Sequence, residues 1–139
     1  MRVLIDVNVL LDVLADREPF ADDAATILSA IERGQLEGFV AAHTVTTLYF
    51  LLNRAVGRAR TRKAVADLLR LLTVVPVDED RLLQALAMKW PDFEDAVQAA
   101  CGSKAEVDYL VTRNQGDFKR AALEVISPAE LVAILSAPA

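Results

Sequence analysis

The chain has 139 residues, enough for one ordinary domain with a full hydrophobic core. Apolar residues make up 54% and charged residues 25%, a globular composition that excludes a disordered chain. The net charge of −5 excludes nucleic-acid binding through overall charge, yet the charge is uneven: Arg54, Arg58, Arg60, Arg62 and Lys63 share one stretch without an acid, while acids gather in DREPFADD, VDED and DFED.

Taken in order, residues 3–5 form a short continuous apolar run, the pattern of a central strand covered on both faces. Asp6 and Asp12 interrupt the apolar stretch beyond it, too early for a secretory signal, and no stretch reaches the ~18 apolar residues of a membrane span. Residues 8–15 read as a first helix. Pro19 is placed to open a second, with Ala24, Ile27, Leu28 and Ile31 at helical spacing and Gly34 as its stop. EGFVAA is a second strand, TVTTLYFLLNRAVG a helix despite its β-branched start, and RARTRKAVADLLRLL another helix. TVVPV is a third strand, and Pro76 marks it as an edge or a strand end. Two helices split by Pro91 come next, then strands in DYLVT and LEVIS. A last helix opens with Ser127 as N-cap and Pro128 in its first turn. Cys101, the only cysteine, lies in an apolar helix face and reads as core. A single cysteine permits neither an intramolecular disulfide nor a thiolate zinc cluster, and a reduced, cytoplasmic setting is expected. Strands separated by helices predict an α/β chain: a three-layer α/β/α sandwich around a mostly parallel sheet of about five strands. No repeat, low-complexity segment or linker divides it, so residues 1–139 are expected to form one domain.

In such a sheet, ligands bind outside the carboxyl ends of the strands. Asp6 comes directly after the first strand, and Thr112, Asn114 and Asp117 come after the fourth. DFEDAVQAA starts a helix in which Asp92 has the place of a cap and Asp95 precedes the apolar face. Asp6, Asp95 and Asp117 are therefore expected to meet. Carboxylates with no basic residue between them repel, and a hard cation, Mg²⁺ or Mn²⁺, resolves the repulsion with oxygen ligands. A site of this kind serves phosphodiester hydrolysis. Each residue also has a plainer role: an Asp after a strand often caps a helix, Asn8 is placed to brace the loop after the strand, and His43 to cap or pack. The basic run is first of all a solvated helix face.

VLIDVNVLLDVL, HTVTTLYFLLNRAVG, PDFEDAVQAA, DYLVTRNQGDF and ISPAELVAIL, in that order, resemble the PIN-domain family, in particular the small VapC-type toxins. The resemblance covers the whole chain and implies a parallel α/β/α sandwich with metal-dependent cleavage of single-stranded RNA. It implies Asp6, Asp95 and Asp117 as catalytic metal ligands, with Thr112 and Asn114 bracing the loop or a bound phosphate. One departure stands out: the central helix of the family usually carries an acid just before the Leu-Tyr pair, and Thr47 occupies that place here. A hydroxyl supplies no charge, which tells against tight binding of a second metal.

The resemblance further implies a cognate antitoxin that lays a segment across the acidic site, and a homodimer formed through LYFLL and ADLLRLL. Arg58, Arg60, Arg62 and Lys63 are the expected RNA-tracking residues. The competing reading is a degenerate PIN domain that holds RNA or protein without cutting. A phosphoacceptor receiver domain fits less well, because the first strand delivers one Asp and no Lys succeeds the fifth. A haloacid-dehalogenase-like phosphatase needs Asp-x-Asp where Asp6-Val7-Asn8 stands.

Overall fold

The structure, a computed structural model, describes residues 1–138. Five strands, β1 (Arg2–Ile5), β2 (Glu37–Ala41), β3 (Thr73–Val75), β4 (Tyr109–Val111) and β5 (Val125–Ile126), pair in the order β3-β2-β1-β4-β5. Every pairing is parallel, with Leu4 opposite Phe39 on one side and Leu110 on the other. The apolar run in β1 reads as it does because Val3, Leu4 and Ile5 are all 0% exposed. Successive side chains of a strand point to opposite faces, so Val3 and Ile5 serve one layer of core and Leu4 the other.

The Val3 and Ile5 face is covered by α1 (Val7–Leu14), α2 (Ala21–Glu32), α3 (Ala42–Val56), α4 (Arg58–Leu71) and α7 (Pro128–Ser136), through residues such as Leu10, Ile27, Leu48, Leu68 and Leu131. The Leu4 face is covered by α5 (Glu79–Met88) and α6 (Phe93–Lys104), through Ala85, Val97 and Cys101. This is the expected three-layer sandwich, and Cys101 is fully buried core. Burial pushes its thiol up to about 11, which keeps it protonated and unreactive at neutral pH.

Local chemistry sets most boundaries. β3 stops at Val75, before Pro76, and lies at the sheet edge. Ser127 and Glu130 form a reciprocal capping box at the start of α7. Gly57, at φ 86°, is the single residue between α3 and α4. Two details differ from the sequence reading. The second helix starts at Ala21 and not at Pro19, because the Phe20 N–H donates to the Arg17 carbonyl (3.0 Å) and closes a turn first. The stretch after β4 contains a 3-10 turn, Gln115–Phe118, whose Asp117 N–H donates to the Asn114 carbonyl (3.0 Å). Among the described residues no helix is long and apolar enough to cross a membrane.

Candidate acidic site

Asp6 stands where β1 gives way to α1, and it is the N-cap of that helix. Its Oδ1 accepts from the Val7 N–H (2.8 Å) and from Gln98 Nε2 (3.2 Å), and its Oδ2 accepts from Thr112 Oγ1 (2.7 Å). Those three donors offset the cost of enclosing a side chain that is only 6% exposed. A carboxylate offers about four lone-pair sites, so Asp6 keeps one, on Oδ2. Thr112 does more than bind Asp6: its Oγ1 also accepts from the Asn114 N–H (3.0 Å), which ties the loop after β4 to the start of α1. Asn8 lies in the first turn of α1, and none of the hydrogen bonds to Asp6 comes from it. The bracing expected of Asn8 falls to Gln98 and Thr112.

The first turn of α6 brings in the second carboxylate. Asp92 is the N-cap, its Oδ1 accepting from the Asp95 N–H (3.0 Å), and Asp95 is half-buried on the side facing Asp6. Burial pushes the Asp95 carboxyl up to about 7, and the negative charges of Asp92, Asp6, Asp117 and Glu94 push in the same direction. Asp6 and Asp95 line one small hollow of about 40 Å³ with Thr44, Thr47 and Gln98. Asp95 also lines a neighbouring hollow of about 320 Å³, and Asp117 joins it there. The three expected carboxylates are thus strung out and not gathered at one point: Asp95 adjoins both others, while the 3-10 turn carries Asp117 to the exposed surface.

Among the described residues no group of three or more His, Cys, Asp or Glu is arranged to hold a metal ion. Mg²⁺ does not demand one, because it keeps several waters and takes one or two protein carboxylates. Asp6 and Asp95 line one hollow with Glu94 in a surplus of negative charge, against which that lining sets no Lys or Arg and a single histidine, His43, and they have the donor chemistry of such a site. The oxygen of Gln98, buried there without a partner, adds another neutral acceptor.

His43 and Thr47 come to this hollow from the start of α3. His43 Nε2 donates to the Glu94 carbonyl (3.1 Å), linking α3 to α6; a carbonyl only accepts, so Nε2 carries the proton. Thr47 Oγ1 donates to the His43 carbonyl (3.2 Å), and the place of the usual acid is a neutral hydroxyl engaged with its own helix. Arg58, Arg60, Arg62 and Lys63 are all exposed on α4. Arg60 and Lys63 line a separate groove of about 490 Å³ with Leu14, Leu28, Leu68 and Leu71, and none of the four basic residues lines either hollow that holds Asp95.

Two arrangements lay beyond the sequence reading. Gln98 is one; the visible signal was a lone amide in the buried stretch 96–102. The other is Asp12, 1% exposed, which takes a two-pronged contact from Arg113 (Nε to Oδ2 2.7 Å, Nη2 to Oδ1 3.2 Å) and a contact from Arg17 (3.2 Å).

A five-stranded parallel sheet in this order, with carboxylates at the carboxyl ends of its strands and at the start of α6, defines an α/β/α protein with an acidic site at the sheet edge. The family model described as PIN domain matches residues 2–116. The chain belongs to the PIN-domain family. Curated proteins compared with the sequence provide no match. Among solved structures, the fold is similar to that of Mycobacterium tuberculosis VapC20, described as a sarcin-ricin loop cleaving toxin (TM-score 0.69, 19% identity, covering 87% of this chain and 95% of that one). It is also similar to VapBC2 from Rickettsia felis, bound to a DNA fragment from its promoter (TM-score 0.71, 12% identity, 91% and 98% covered). A third is a toxin–antitoxin complex from Klebsiella pneumoniae (TM-score 0.68, 20% identity, 91% and 97% covered). At these identities the likeness is one of fold.

Proposed function

We propose that the protein is a metal-dependent endoribonuclease that cleaves single-stranded RNA, acting as the toxin of a toxin–antitoxin pair. The observation that carries this reading is Asp95, a half-buried carboxyl held up to about 7 by burial and four neighbouring carboxylates in a PIN domain. Asp6 and Asp95 are the residues to hold Mg²⁺ or Mn²⁺, with Asp117 alongside Asp95 in the adjoining hollow. When bound, the cation supplies charge neutralisation at the phosphoryl group and a water acidic enough to attack it. The chain does the rest by positioning. Thr112 and Gln98 fix the Asp6 carboxylate, leaving Oδ2 one free lone pair, and Thr112 holds Asn114 in place beside it.

The test is an RNA cleavage assay. Cleavage is expected with Mg²⁺ or Mn²⁺, none with chelator, and none from Asp6→Asn; metal-independent cleavage would sink the reading. Gln98 gives a finer check. Gln98→Leu removes the Nε2 donor from Asp6, and outer-shell partners of this kind typically matter by about 10–100-fold in metal affinity. Titration of Mn²⁺ followed by electron paramagnetic resonance should show a loss in that range; unchanged affinity would leave Gln98 a packing residue.

Similarity to toxins solved in complexes supports an antitoxin as partner. The apolar groove bounded by Leu14, Leu28, Leu68 and Leu71 offers it a hydrophobic seat, and an arginine from the partner would pair with the carboxylates. Homodimerisation through α3 and α4 draws on Phe50 and Leu69, both exposed. A second reading, a domain that holds RNA or protein without cutting, is favoured by one observation, the neutral Thr47. Absence of cleavage by the unmodified protein across several divalent metals would favour it.

A further inference from the structure

The hollow that holds Asp95 and Asp117 does not end at the acids. Its lining also holds Asp92, Trp90, Lys119 and Arg120. Trp90 and Arg120 also line a further hollow, about 360 Å³, with Gln84, Met88 and Ser103. The two are of the size at which proteins take small ligands. They adjoin the small hollow at Asp6 through shared residues: Asp95 lines the first and second hollows, and Trp90 and Arg120 line the second and third, a succession that makes a track.

We propose that single-stranded RNA runs along this track away from Asp95, with a base stacked on Trp90 and Lys119 and Arg120 taking the backbone phosphates. The inference rests on the ribonuclease reading and names where its substrate lies. Aromatic side chains are stacking platforms for unpaired bases whatever their sequence. Trp90 is well placed for that use. It comes after Lys89, the left-handed residue (φ 59°) that ends α5, and precedes Pro91, so it sits on a short and restricted connection. Its ring meets buried Phe118 edge to face (centroids 6.0 Å, 75°) and keeps a partly exposed surface.

Charge points the same way. The carboxylates around Asp95 repel a phosphate backbone, and Lys119 and Arg120 are the cations that share a lining with them. The α4 run of Arg58, Arg60, Arg62 and Lys63 shares none. On this geometry, RNA entry is governed by residues 119 and 120 and not by α4.

Trp90 is the only tryptophan of the chain, so its emission reports this site alone. A short labelled oligouridylate is titrated into the whole protein in chelator, where the RNA stays intact, and again with Mg²⁺. Binding is followed both by polarisation of the label and by tryptophan emission. Quenching is expected with the oligouridylate and not with the matching abasic ribose-phosphate oligomer. Trp90→Ala should weaken binding about tenfold, and Trp90→Phe much less. Arg120→Ala, at an exposed position, should lower the slope of log affinity against log salt by about one. If the oligouridylate binds with tryptophan emission unmoved and Trp90→Ala binds equally well, the track is wrong while the ribonuclease reading stands. If no RNA binds with or without Mg²⁺, both fall. Quenching by a protein partner alone overturns the RNA assignment of the track.

Discussion

Asp12→Ala should lower stability by about 3 kcal/mol, the lower end of the loss seen when one partner is removed from a buried ion pair. Asp12 is 1% exposed and holds the Arg113 guanidinium through both oxygens at 2.7 and 3.2 Å. Arg113 cannot easily escape into solvent once its partner is gone. Its side chain is only 22% exposed, and its guanidinium lies 3.9 Å over the centre of the Phe20 ring. Arg17, whose side chain is 42% exposed, can swing away. The variant therefore strands one largely enclosed positive charge and not two. For a domain of this size, melting should fall by roughly 10 °C, as read by circular dichroism. A melting point within a degree or two of the parent would show that the pair is as dispensable as a surface one. The loss should also reach the site. Arg113 lies between Thr112, which donates to Asp6, and Asn114, whose N–H Thr112 accepts, so the pair clamps the loop after β4 onto α1.

That clamp marks where sequence reasoning ends. Features whose cause is local were legible: Asp92 as a cap, Pro76 as the end of an edge strand, Ser127 as the cap of the last helix. The rule that ligands gather at the carboxyl ends of parallel strands also brought Asp6 and Asp95 together across 89 residues of chain, counted from their positions. The partners themselves were not legible. Gln98 reaches Asp6 over 92 residues, Arg113 reaches Asp12 over 101, and Thr112 reaches Asp6 over 106. Helical and strand periodicities say which face a residue occupies, and they carry no information on which side chain it meets there. The same gap explains Asp117: the strand-end rule placed it on the correct rim, but the 3-10 turn that carries it outward depends on a backbone bond from Asp117 to Asn114. Asn8 stands beside the acid in sequence, yet the donors to Asp6 are the Val7 N–H, Gln98 and Thr112.

Asp95→Asn is expected to separate function from stability. It removes a carboxylate assigned to the cation, so cleavage should fall by at least about 100-fold, beyond the usual loss from an outer-shell residue. The metal-free protein should nevertheless become more stable at pH 8. In the folded chain Asp95 holds its proton up to about 7, while its ordinary value is 3.8. Between those values the folded state binds more protons than the unfolded one, so the stability of the parent falls as pH rises across that window. An asparagine cannot ionise and escapes this decline. The gain at pH 8 should be on the order of 1–2 kcal/mol, after discounting for solvent that screens the half-buried carboxyl. It should shrink as pH falls and vanish below 3.8, where the Asp95 carboxyl is protonated in the unfolded chain as well. Mn²⁺ should reverse the comparison, stabilising the parent more at pH 8 than at pH 5.5, since binding at the lower pH must first displace the proton on Asp95. Melting curves of both proteins at the two pH values, with and without Mn²⁺, make the test. A difference between parent and variant that is the same at both pH values would mean that Asp95 does not carry the strain of the acidic cluster, and the cation would lose its physical reason to bind there.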